Sequence, residues 1–216
     1  ATRYLAWTKL HSVGEDAEEV LLEMYNGKDQ RLRARALWLL GKIPKRGLHY
    51  VILAIRDANP EIRETGIRLA RQLDVNIVDV VSKVASDESP AVRREALVAL
   101  HGVEGAAADQ LWAVMASQHN GHDRWYLETL GVGAADHWDS RFAAWLKVID
   151  GKWRTPAGRD IVWRSRAAAA ASMLADILLD EDTPEEEHPR YLRAFDYHKG
   201  PAKDAALEKI LLGQLR

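Results

Sequence analysis

Along much of the chain, apolar positions recur at i, i+4 and i+7 in short segments separated by polar turns, the period of amphipathic helices. Three segments, Gln30–Ile43, Pro60–Leu73 and Pro90–Val103, align without gaps at an offset of thirty residues. In this register Leu37, Ile67 and Leu97 coincide, as do Leu40, Ala70 and Leu100. A polar position repeats with them, occupied by Arg33, Arg63 and Arg93. A fourth copy from Gly121 keeps the apolar register at Leu127 and Leu130 but has Asp123 in place of the arginine. Asn59-Pro60 and Ser89-Pro90 put a capping side chain before a proline at the first helical position, where the missing N–H is harmless. Between the copies lie second apolar segments of helical length, Leu48–Ala58, Val75–Ala85, Ala106–Gln118 and Asp139–Ile149. The predicted unit is helix, turn, helix. A single pair cannot bury its apolar face alone, so neighbouring pairs must stack.

The pattern Asp-x-x-Pro-x-[Val/Ile]-Arg-x-x-[Ala/Gly], at Asp57–Gly66 and Asp87–Ala96, resembles the HEAT-repeat consensus. That resemblance implies an all-α fold, an α-solenoid of HEAT-like helical repeats. It also implies a structural ladder between neighbouring units, assigned here to Asp57, Asp87, Arg33, Arg63 and Arg93. The whole of 1–216 is expected to form one such repeat domain, with clear thirty-residue repeats over 17–132 and an irregular helical part over 133–216.

Composition shifts after residue 120. Six of the eight tryptophans fall between Trp112 and Trp163. Gly151, Pro156 and Gly158 interrupt the helical pattern, and a long alanine-rich helix is expected over Ile161–Leu179. An acidic loop follows, with six carboxylates from Asp180 to Glu187. The pattern then predicts helices at Arg190–Tyr197 and Pro201–Leu215. The second would be a closing helix with Ala205, Ile210, Leu211 and Leu215 as its apolar face.

Charge and composition narrow the function classes. The net charge is -2, with 30 basic and 32 acidic residues, so no global field draws the chain to DNA or anionic lipid. Nucleic acid is therefore not the expected partner. No apolar run reaches the roughly 20 residues needed to cross a bilayer, and no membrane insertion is expected. The chain has no cysteine, which removes disulfides, thiolate metal sites and covalent c-type haem from these residues. It starts at Ala1 without a signal-like segment and reads as a piece of a longer protein.

Few constellations carry chemistry. His119, His122 and Asp123 have the residue types of a metal site, but Asn120-Gly121 interrupts any shared helix face, which favours a solvated loop. Asp136-His137-Trp138-Asp139 pairs carboxylates with an imidazole and equally fits a helix N-terminus. His101 is placed to cap a helix C-terminus. Trp125, Trp138, Trp145, Trp153 and Trp163 are either core or stacking platforms. Trp153 is the best surface candidate, because Lys152, Arg154 and Arg159 share its loop. Basic residues Lys42, Lys45, Arg46, Arg63, Arg68, Arg71, Arg93 and Arg94 could form a positive face, diluted by Glu61, Glu64 and Glu95. The expected interaction surface is Trp153 and Arg154 with Arg68 and Arg71. No phosphate loop, nucleophile elbow, zinc-protease motif or dinucleotide fingerprint is present, and no catalytic or cofactor-binding residue is assigned.

Two stretches, Gly121–Leu146 and His188–Pro201, resemble blocks of large secreted proteins of planctomycetes and related bacteria, described as membrane-bound dehydrogenase-like or haem-binding. The resemblance implies a layout of sugar-dehydrogenase-like β-propeller, HEAT segment and c-type cytochrome domain. The family's haem motif and propeller catalytic residues have no counterpart here. The expected function is thus a non-catalytic scaffold, a spacer whose partners are neighbouring domains or another protein. Its location is exported or periplasmic if the family holds and cytoplasmic otherwise. The alternative is a nucleic-acid binder or a HEAT-like alkylpurine DNA glycosylase, which a positive groove with exposed tryptophan and a carboxylate would favour.

Overall fold

The computed structural model describes residues 2–213, the side chain of Arg3 excepted, so Ala1 and Leu215 lie outside the described residues. Every regular element among them is helical. The chain divides into two compact units, Ala1–Leu100 and His101–Arg216.

The first unit contains α1 (Thr2–Val13), α2 (Glu18–Tyr25), α3 (Gln30–Leu40), α4 (Gly47–Ala54), α5 (Pro60–Ala70), α6 (Ile77–Ser82) and α7 (Pro90–Ala99). The thirty-residue register is visible in the helix starts at Gln30, Pro60 and Pro90. Helix α5 packs against α3 and α7, and also against α4 and α6. The coinciding positions form its core: Leu37, Leu40, Ile67, Leu97 and Leu100 are all fully buried. Close approach explains Gly66, where a Cβ would stand 2.8 Å from the Ala54 Cβ and 3.2 Å from the Ile55 nitrogen.

The caps follow the sequence with one exception. The Asp29 carboxylate accepts from the Arg31 and Leu32 amides, and the Asn59 side chain accepts from Glu61 N–H at 2.8 Å. Ser89 makes no side-chain cap; instead its own backbone N–H donates to Asp87 Oδ1 at 2.9 Å. A carboxylate two residues upstream, not the serine hydroxyl, shapes that turn.

The second unit contains α8 (Ala106–Ala116), α9 (Arg124–Ala134), α10 (Trp138–Val148), α11 (Pro156–Arg164), α12 (Ala168–Leu178), α13 (His188–Ala194) and α14 (Pro201–Gly213). Helix α8 packs on α9 and α10, and α12 packs on α11, α13 and α14. The long helix expected over Ile161–Leu179 is two helices. Ser165 and Ala167 are extended, at ψ 151° and 141°, and the Ser165 hydroxyl accepts from Ala167 N–H at 3.0 Å. A buried serine competing for backbone groups overrides the helix preference of the alanines. Pro156 does not interrupt a helix but starts one, with Thr155 as its cap. The closing helix also differs: its buried positions are Ala206 and Ile210, while Ala205 and Leu211 face solvent.

An arginine–aromatic cleft and a repeated arginine bracket

The coinciding arginines are held in a recurring bracket. Arg63 donates from Nε and Nη2 to both oxygens of Asp87 at 2.8 Å, and from Nη1 to the backbone carbonyls of Asp57 and Ala58. Asp87 in turn accepts from Ser89 N–H. Thirty residues earlier, Arg33 pairs with Asp57, which accepts from Asn59 N–H. The second pair is nearly buried, with 8% and 10% of the Arg63 and Asp87 side chains exposed, and the first is partly buried. The bond to Asp87 and its charge raise the Arg63 pKa further, against the opposing effect of burial. Arg93 likewise donates to the backbone carbonyls of Asp87 and Glu88.

The sequence reading missed one further bracket. Arg159 donates to Asp180 and Thr183, and Asp180 accepts from Asp182 N–H at 3.2 Å. The Asp-x-Asp at 180–182 matches Asp57-x-Asn59 and Asp87-x-Ser89, and that was its available signal.

Of the predicted site residues, Arg68 and Arg71 belong to the first unit and Trp153 and Arg154 to the second. Arg68 pairs with Glu64 and Glu95, and Arg71 with Glu95 as well, so this part of the candidate basic face is a salt-bridged surface. Trp153 is not a surface ring: it is only 8% exposed. Its backbone is drawn against α11 at Gly158, where a Cβ would meet the Trp153 carbonyl oxygen at 2.1 Å, and the Arg154 guanidinium covers its ring at 4.6 Å. Arg154 itself stays exposed and reaches Asp176. Trp145 is core and Trp138 half-buried, whereas Trp125 on α9 is 73% exposed and is the ring offered to solvent.

The histidines have structural surroundings. His119 is not in a solvated loop; its ring is buried, stacked on Tyr126 and bonded through Nε2 to Asp160 Oδ2 at 3.2 Å. Asp123 caps α9 by accepting from Tyr126 N–H at 2.9 Å, and His122 is exposed. No group of three or more ligand-type side chains is gathered as a metal site among the described residues. Asp139 lies in the first turn of α10, yet its carboxylate accepts from Ala168 N–H at 2.7 Å, at the start of α12. His101 was expected to cap the helix it follows, α7; its Nδ1 instead meets the Val132 carbonyl at 3.1 Å, near the end of α9.

What the sequence did not bring together is a cleft of about 600 Å³ between α9, α11 and α13, lined by Glu128, Trp163, Tyr197 and the arginines 164, 166, 190 and 193. Arg164 donates to Glu128 at 3.1 Å and lies across α9 at Gly131, where a Cβ would stand 2.1 Å from its Nη2. Arg190 donates to Asp160 and stacks 4.4 Å above the Trp163 ring. The Trp163 indole N–H donates back to the Arg190 carbonyl at 3.2 Å. Arg166 lies 4.0 Å from the Tyr197 ring centre and donates to the Ser165 carbonyl at 3.0 Å. Burial, and then the charge of Arg164, lower the Arg166 pKa. Burial alone would raise Asp160, but hydrogen bonds from His119 and Arg190 outweigh it and hold the carboxyl below its ordinary range.

Chemically, this arrangement offers several fixed guanidinium groups beside aromatic faces, suited to holding an anion. No protein-family model matches the chain, and no curated protein matches it. Among the described residues no helix is long and apolar enough to cross a membrane.

Proposed function

We propose that the chain is an α-solenoid of HEAT-type repeats that works as a non-catalytic interaction module, a spacer joining other domains or proteins. The observation that carries this reading is the bracket repeated between Arg33–Asp57 and Arg63–Asp87. Such a bracket fixes each helix pair to the next and yields a surface rather than an enclosed reaction site. The resemblance to exported dehydrogenase-like, haem-binding proteins supplies the proposed setting, between a propeller and a c-type cytochrome domain. In that setting haem belongs to the neighbouring domain. Trp125 replaces Trp153 as the proposed aromatic anchor of the docking surface, because exposed tryptophans supply much of the energy of protein contacts.

The nucleic-acid alternative gains the cleft but loses the face on which it depended. Arg68 and Arg71 are matched by Glu64 and Glu95. A backbone-tracking protein needs a basic stripe, and this chain has six carboxylates between Asp180 and Glu187 in the same unit as the cleft.

The test uses the native full-length polypeptide. Its visible absorption spectrum should show a covalent haem band, and lysine cross-linking should join this segment to flanking domains. Trp125→Ala should weaken those cross-links. A polypeptide without haem whose cross-links stay within this segment would sink the spacer reading.

A further inference from the structure

The cleft between α9, α11 and α13 holds an imbalance of charge that the fold does not need. Its four guanidinium groups face two carboxylates, Glu128 and Asp160, which match Arg164 and Arg190. Arg166 and Arg193 form no ion pair among the described residues, and Arg166 is half-buried beside Arg164. Like charges held together out of water are unfavourable unless an anion joins them. The geometry is also fixed in advance. Arg164 is seated against the bare backbone of Gly131, and Tyr197 and Trp163 hold Arg166 and Arg190 by their ring faces. Guanidinium forks posed in this way suit a tetrahedral oxyanion with several acceptor oxygens.

We propose that this cleft binds a phosphate monoester. A monoester carries about -1.5 to -2 at neutral pH, which matches the two unmatched positive charges. The volume, about 600 Å³, falls in the range of about 300–1,000 Å³ usual for small-ligand sites. The phosphate can belong to a small molecule or to a phosphorylated side chain; the recognised chemistry is the same. A nucleic-acid strand fits less well, because its diesters carry one charge each and need a longer basic track. The site stands whether or not the chain is a spacer.

Isothermal titration of the full chain in low salt tests it. The probes are glycerol 2-phosphate, a phosphoserine tripeptide, dimethyl phosphate, succinate and a short oligothymidylate. Binding of either monoester, with dimethyl phosphate and succinate clearly weaker, is the expected result. Glycerol 2-phosphate alone points to a small-molecule source, and a tighter phosphoserine peptide points to a protein source. Arg193→Gln, at an exposed position, should weaken the monoester about tenfold, the loss of one charge-assisted contact. Arg166→Gln should do at least as much. Glu128→Gln removes a competing carboxylate and should tighten binding, a sign that a purely structural glutamate would not give. Arg68→Gln should change nothing. Absence of heat with both monoesters, equal binding of succinate, or preference for the oligothymidylate would each overturn the proposal.

Discussion

In Ala1–Leu100 the inward arginines Arg33 and Arg63 each meet an aspartate twenty-four residues on, whereas in His101–Arg216 several arginines converge on one cleft beside aromatic rings. The same side chain serves different ends because its partner differs. A carboxylate within reach of both prongs of the fork closes the charge and leaves a strut. An aromatic face satisfies the flat surface of the guanidinium but leaves its charge open. Among the described residues of the cleft the open charge is at Arg166 and Arg193, whereas Arg33, Arg63, Arg164 and Arg190 each have a carboxylate partner.

The strongest way to break this comparison is to remove one strut. Arg63→Met leaves Asp87 nearly buried with its main charge partner gone, and losing one member of a buried pair destabilises by about 3–5 kcal/mol. Urea unfolding should show that loss. Arg63→Met combined with Asp87→Leu should recover most of it, since two apolar groups replace the pair. Arg193→Gln, exposed in the cleft, should stay within about 0.5 kcal/mol of the parent. Equal losses for Arg63→Met and Arg193→Gln would erase the distinction between strut and cleft.

The strut was legible in the sequence because it lies inside a register. Arg33, Arg63 and Arg93 recur at one spacing, and the aspartates at 57 and 87 recur with the same spacing. Helix starts were legible too, since Asn59-Pro60 and Ser89-Pro90 are local signals, though the Ser89 hydroxyl makes no cap. The cleft was not, because it gathers Glu128, the 163–166 turn and the 190–197 segment, and no periodicity relates these three. The break at Ser165 was hidden by the run of helix-favouring alanines that follows it. Trp153 looked exposed in its basic loop because its burial depends on a glycine five residues later that admits its backbone. At the cleft and at Trp153 a contact between segments outweighed local preference, and at Ser165 a side-chain to backbone bond did.

Two glycines sharpen the comparison at smaller magnitude. Alanine gains about 1 kcal/mol of helix preference at either position, so the sign depends on what the new methyl meets. At Gly66 it meets the Ala54 Cβ at 2.8 Å and, at 3.2 Å, a backbone nitrogen that cannot move aside. Gly66→Ala should therefore destabilise by about 1–3 kcal/mol through overpacking. At Gly131 it meets only the far end of Arg164, which can swing away. Gly131→Ala should leave thermal stability within about 1 kcal/mol of the parent while weakening monoester binding in the cleft. Thermal unfolding and titration of the two variants read both effects. A Gly131→Ala variant that binds the monoester as well as the parent would show that the placement of Arg164 is irrelevant to the site.

The smallest effect separates the units by pH. In the first unit, burial and then Asp57 push Tyr25 up to about 12 from 10.0, and burial and then Glu18 do the same for Tyr50. Folded values above the unfolded ones mean that this contribution is intact below pH 10 and is lost as pH rises through about 12. In the second unit burial raises Tyr191 as well, but His198 and Asp160 shift the other way. Burial, then Arg166 and Lys203, lower His198 from 6.5, the bond to the Ser165 backbone opposing them, and Asp160 is held below 3.8. The unfolded chain then takes up protons first, so stability is lost as pH falls below 6.5 for His198 and below 3.8 for Asp160. Hydrogen exchange followed amide by amide should show Ala170 and Leu174 losing protection first in acid. His198→Phe should flatten the upper part of the acid limb, leaving the alkaline limb unchanged. If both units lose protection together in acid, the shifted groups do not act unit by unit.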